Sequence, residues 1–89
     1  MQPDLRNSAT VKLAFPIEVD GVAYETLKIR RSTVKDQIAA SRVADDMGRS
    51  VRMMALLTGT ADDVIESLDS YDFTVLSKEV QSFLGFSAT

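Results

Sequence analysis

Few side chains in this sequence are able to do chemistry. Two adjacent acidic pairs, Asp45-Asp46 and Asp62-Asp63, are the candidates for a two-carboxylate catalytic site or a divalent cation site. Neighbouring residues on a helix point roughly 100° apart, so neither pair can pinch one ion or one scissile bond unaided. Asp63 also stands three residues after Thr60, the spacing of a helix cap, which gives it a structural use. The 89 residues include no Cys and no His. That excludes disulfides, thiolate nucleophiles and Cys-based zinc sites, and removes the side chain that most often acts as general base or metal ligand near neutral pH. The chain also has no Gly-rich phosphate loop, no Gly-x-Ser-x-Gly elbow and no spaced carboxylate motif. We therefore assign no catalytic, cofactor-binding or metal-ligating residue and expect a binding protein rather than an enzyme.

Charge narrows the class of partner. The cluster Lys28, Arg30, Arg31 and Lys35 has no interleaved aromatics and no basic recognition helix, and the chain carries a net charge of -3. A phosphate-rich partner is not expected, and a strand-end or salt-bridging role is. Residues 6–52 hold nine basic and six acidic side chains, whereas residues 62–79 hold six acidic and one basic. That acidic excess reads as the solvated face of helices.

The apolar excess is more pointed. Met53-Met54 beside Leu56-Leu57, and Phe83-Leu84-Gly85-Phe86 near the C-terminus, exceed what one helix face can bury. Met adapts to varied partners, and apolar residues beyond a helix's buried stripe mark contact surfaces. Met53, Met54, Phe83, Leu84 and Phe86 are thus the candidate partner-binding residues, for another protein or for a second copy in a homo-oligomer.

The elements that must position them follow from pattern. Residues 1–10 are polar and read as a flexible tail, with one small domain over residues 11–86. Val11, Leu13, Phe15, Ile17 and Val19 alternate as in a half-buried strand, and Asp20-Gly21 then turns the chain into a second strand, Val22 to Ile29. A three-residue loop, Val19-Asp20-Gly21, would set Leu13 against Leu27 and Val11 against Ile29, keeping apolar residues on one face, with the glycine as bulge. Pro16 lacks an amide proton and suits an edge. Thr33 with Asp36 caps a first helix that is expected to run to about Met47 and stop at Gly48. Ser50 then caps a second helix ending at Thr58-Gly59, Thr60 with Asp63 caps a third, and Asp69 or Ser70 caps the last. In that last helix Phe73, Leu76, Val80 and Phe83 form a stripe. The fold class is α+β: an N-terminal β-hairpin followed by about four short helices. The longest uninterrupted apolar stretch in the middle of the chain, Met53 to Leu57, is far short of the roughly 20 residues of a membrane span, so a cytosolic protein is expected.

Taken in order, these pieces resemble a family. Leu13-Ala-Phe-Pro16-Ile-Glu-Val19-Asp20-Gly21 leads to a strand ending Leu27-Lys-Ile-Arg30-Arg31, and Thr33 and Asp36 follow. Then come Ala55-Leu56-Leu57-Thr58-Gly59, Val64-Ile65-x-x-Leu68-Asp69-x-x-Asp72-Phe73-x-x-Leu76 and Val80-x-x-Phe83-Leu84. Over residues 11–85 the chain is similar to the small, Mu-like or E-type tail assembly chaperones of contractile-tailed phages and prophages. Thr60-Ala61 departs from the pattern, where an apolar residue and proline are expected. The resemblance implies a non-enzymatic chaperone that binds the tape measure protein and keeps it soluble while the tail tube assembles around it. It further points to the tail tube protein and a frameshift-extended form of the chain itself as additional partners, to residence in the host cell cytoplasm, and to absence from the mature virion. The rival reading is a small phage-encoded regulatory protein binding DNA through the helices around Thr58-Gly59-Thr60.

Overall fold

The computed structural model describes residues 8–83 as a two-stranded antiparallel sheet followed by four helices. In chain order these are β1 (Ser8–Val19), β2 (Val22–Arg30), α1 (Val34–Ser41), α2 (Asp46–Thr58), α3 (Asp62–Glu66) and α4 (Ser70–Phe83). Strand β1 takes in the last three residues expected as tail, and residues 1–7 lie outside the described residues.

The hairpin departs from the expected register. Asp20 and Gly21 both have positive φ, 51° and 78°, the signature of a two-residue type I′ turn, and Val19 pairs directly with Val22. The slip needed to keep apolar residues together occurs inside β1. Between the pairs Lys12↔Thr26 and Ile17↔Tyr24, residues 13–16 face Glu25 alone. Beyond this wide bulge Val11 pairs with Leu27 and Ala9 with Ile29, so one sheet face stays apolar by a different route. Pro16 lies in the bulge, where no ladder bond is asked of it.

The core is one cluster: Leu13, Leu27 and Ile29 from the hairpin meet Met54, Ala55 and Leu57 of α2, Ile65 of α3 and Leu76 of α4. Helix α2 packs on β2, α4 packs on β1, and α1 and α3 flank α2. Thr10, Lys12, Thr26 and Lys28, on the alternate positions of the strands, are exposed. The result is two layers, with the helices on one face of the hairpin.

Two helix starts differ from expectation. The break between the first two helices falls at residues 42–45, not at Gly48, and Asp45 rather than Ser50 caps α2 by accepting from the Gly48 N–H at 2.7 Å. Gly48 permits this turn by its size. A Cβ there would stand 2.7 Å from Val43 Cγ1 and 2.8 Å from Asp45 Oδ1, so any larger residue would have to push aside the loop side chain and the capping carboxylate. Arg49 secures the loop, donating to the Val43 and Ala44 carbonyls at 2.8 and 2.9 Å and to Asp46 at 2.6 Å. Helix α3 begins one residue later than expected, after Ala61, whose methyl offers no acceptor, so it has no side-chain cap; the Thr60 hydroxyl lies 2.9 Å from that of Thr58. Thr33 with Asp36 forms the expected capping box, α2 ends at Gly59, and Asp69 accepts from the Tyr71 N–H at the start of α4.

Candidate functional site

The acidic pairs are dispersed into structural work. Asp45 caps α2, Asp46 bonds Arg49, and Asp62 pairs with Arg52 at 2.9 Å. Asp63 does not cap α3; its side chain is exposed on that helix. Among the described residues no group of three or more His, Cys, Asp or Glu side chains is placed to hold a metal ion, and no helix is long and apolar enough to cross a membrane. Arg30, from the basic cluster, forks onto Asp36 at 2.7 and 2.9 Å. That guanidinium, with the Thr33 N–H and hydroxyl, holds the Asp36 carboxyl far below the usual carboxylate range against the opposing effect of burial.

Two pockets with apolar walls lie between α2 and α4. At the early turns of both helices, Met47 and Val51 of α2 face Phe73 of α4, with Ile65 and Leu68 beside them, around a volume of about 500 Å³. Glu66, Ser70 and Thr74 supply its polar edge. At the later turns, Met53 and Met54 of α2 meet Val80 of α4 and Ala40 of α1 around about 270 Å³, with Arg49, Ser50, Ser77 and Gln81 at the rim. Val51, Met53, Phe73 and Val80 are half-buried, each packing inward on the core while leaving part of its surface in the cleft. Met47 is 62 % exposed.

The sequence-derived contact residues sort accordingly. Met53 lines the later pocket and stays partly accessible, whereas Met54 is 4 % exposed and belongs to the core, forming the pocket's floor. Phe83 ends α4 one turn beyond Val80; its side chain, with Leu84 and Phe86, lies outside the described residues. Sequence reasoning missed Met47, Val51, Leu68 and Phe73 as cleft residues. The signal was present in the 47/51 and 53/54 spacing on α2, which gives that helix apolar surface on two sides.

Asp72 was also missed. It is 1 % exposed and accepts the N–H groups of Ala14 and Phe15 at 2.8 and 3.0 Å, so α4 caps the irregular stretch of β1. Its position four residues before Leu76, on the buried face of the helix, was the available sign. Beside this joint Phe15 and Tyr71 stack edge to face with ring centroids 6.5 Å apart, both more than half exposed.

The cleft is thus an apolar concavity with Glu66, Arg49 and several hydroxyl groups along its edges. Neither the curated proteins nor the solved structures compared with this chain give a match. The model of one family does, from Thr10 through the hairpin and all four helices to residue 85. The chain therefore belongs to the phage tail assembly chaperone proteins described as "E, or 41 or 14".

Proposed function

We propose that this tail assembly chaperone binds the tape measure protein and keeps it soluble during tail tube assembly, without catalysing a reaction. The observation that carries the reading is the α2–α4 cleft, an apolar concavity on a chain that the family match places in tail assembly. An extended, helical client exposes apolar stripes until the tube encloses it, and a helix-in-groove contact covers such stripes reversibly. On this reading the chaperone works in the host cytoplasm and is released before the virion is complete. Met53 and Val80 supply one end of the contact, with Phe83, Leu84 and Phe86 continuing it along the chain. The DNA-binding alternative has less to support it: the Thr58 hydroxyl turns back onto the Met54 carbonyl, and the nearby Arg52 is held by Asp62.

The test is coexpression with the tape measure protein encoded beside it. Wild-type chaperone is expected to raise the soluble fraction of the client, and a Met53→Asp/Phe86→Asp variant to lose most of that effect while retaining its helical circular dichroism. Met54 is unsuited to this test, because an aspartate buried in the core would unfold the protein. An insoluble client in the presence of wild type would refute the reading.

A further inference from the structure

The charge around the cleft is uneven. Glu66 lines the early pocket, and Asp63 stands three residues before it on the same helix. Both are exposed, and neither joins an ion pair among the described residues. Asp69, three residues further on, uses its carboxylate to accept the Tyr71 N–H and joins no ion pair among the described residues. This end of the cleft thus has Glu66 in its lining, with Asp63 and Asp69 three residues to either side of it along the chain, none of them in an ion pair among the described residues, beside an apolar floor of Val51, Ile65 and Phe73. The later pocket presents the opposite case. Its one charged lining residue is Arg49, already held by Asp46 and two loop carbonyls.

From this asymmetry we infer the chemistry of the occupant: an amphipathic helix whose apolar face fills the cleft and whose Lys or Arg residues cluster at the end lying over α3. The inference rests on the proposed chaperone function for the identity of the client, but the chemistry is set by the cleft. From Ser70 to Gln81 the α4 wall is roughly 16 Å long at 1.5 Å rise per residue, room for about three turns of a docked helix. Anchors at i, i+3 or i+4 and i+7 on such a helix reach both pockets. Rim carboxylates beside an apolar floor steer and orient a cationic partner more than they tighten it, so the charge choice is expressed in peptide preference and salt dependence. The same carboxylates reject a helix with acidic residues at that end, which gives the cleft a direction as well as an affinity.

Two labelled synthetic peptides of identical apolar face test this, one with Lys and one with Glu at the same three positions of one end, titrated against the full chain by fluorescence anisotropy. The Lys peptide is expected to bind about tenfold tighter at low salt, with the difference shrinking at high salt. Glu66→Lys should erase that preference. Glu25→Lys, the same charge change at an exposed site on the hairpin, should leave it intact and so separates the rim from net charge. Met47→Asp, at a residue too exposed to carry folding, should weaken both peptides about tenfold. Equal binding of the two peptides, binding of neither, or binding indifferent to Met47→Asp would overturn the inference. Coexpression with the tape measure protein separates the two failures. If wild type solubilises the client and the peptides show no preference, only the inference falls. If the peptides behave as expected and the client stays insoluble, the chaperone reading falls and the cleft's chemistry stands.

Discussion

Asp36 and Asp72 are the charged side chains buried among the described residues, 6 % and 1 % exposed, and each sits where the hairpin meets a helix. Asp36 faces a cation: Arg30 at the end of β2 forks onto both its oxygens, and Thr33 adds an N–H at 2.8 Å and a hydroxyl at 3.1 Å. Asp72 accepts two backbone N–H groups from the β1 bulge instead. At the first junction a charge is neutralised and a helix started. At the second an irregular stretch of backbone, which has no strand partner for its donors, is given acceptors by a helix far away in sequence. The difference teaches that burial of a carboxylate serves two ends here, charge pairing where the chain turns locally and polar satisfaction where distant elements must lock.

The largest expected effect comes from removing the second junction. Asp72→Ala leaves the Ala14 and Phe15 N–H groups without acceptors and opens a small cavity against β1. The penalty is roughly 1–3 kcal/mol for each buried unsatisfied donor, and Ala14 and Phe15 are exposed enough for water to offset part of it, so the loss should be about 2–3 kcal/mol, a large share of the 5–15 kcal/mol typical of a domain. Asp72→Asn keeps one acceptor oxygen and should lose about half as much. Urea unfolding followed by circular dichroism measures both, and a loss under about 1 kcal/mol for Asp72→Ala would break the comparison, since the bulge would then be holding itself.

The first junction should respond less to mutation and more to pH. Arg30 is nearly half exposed, so Arg30→Gln, which removes the fork but leaves the Thr33 donors, should cost about 1–2 kcal/mol at neutral pH. The sign of the pH dependence follows from the Asp36 carboxyl, which is held below its unfolded value of about 3.9. Its ionised form therefore stabilises the fold fully above that value, and the contribution is lost as pH falls through the folded value. Wild type should accordingly lose its advantage over Asp36→Asn as pH drops below about 4, measured by urea midpoints across an acid series. A gap that stays constant into acid would place the value of Asp36 in shape rather than charge.

These junctions also mark where the sequence could be read. Thr33, Asp36 and the neighbouring basic cluster all lie within a few residues, so capping rules and charge proximity found the first junction and the salt bridge of Arg30. The alternation of β1, the Asp20-Gly21 turn and the stripe of α4 were equally local, and they yielded the hairpin and the helix order. The bulge at 13–16 was not legible, because its donors are satisfied 57 and 58 residues away by Asp72, and no local rule couples them. Pairing the strands through a three-residue loop was the locally sensible alternative, and the type I′ turn with a bulge reached the same apolar face. The α1–α2 break was displaced for a related reason: Gly48 looks like a helix stop, yet its bare Cα is needed inside α2 for contact with Val43 and Asp45. As for the cleft, Met53 was visible as apolar excess and the 47/51 spacing marked a second apolar side of α2, whereas Phe73, read as part of the α4 stripe, joins them only through the packing of two helices over the sheet.

The smallest expected effect sharpens the contrast most. Thr33→Ala removes the hydroxyl that accepts from the Asp36 N–H at 3.3 Å and donates to the Asp36 carboxylate, but keeps the Thr33 N–H that bonds the same carboxylate. Half the capping box survives, so the loss should be about 1 kcal/mol, and Thr33→Ser should recover most of it. Helix α1 has eight residues, too few to hold its first turn without a cap, so loosening there also frees the carboxylate that Arg30 grips. Thr33→Ala combined with Arg30→Gln should therefore depart from additivity by about 0.5 kcal/mol or more. Thr33→Ala combined with Asp72→Ala should add within about 0.3–0.5 kcal/mol, because the two junctions share no hydrogen-bond partner. Coupling in the second cycle as large as in the first would mean that the hairpin carries strain from one helix to the other, and the two buried aspartates would then be a single device.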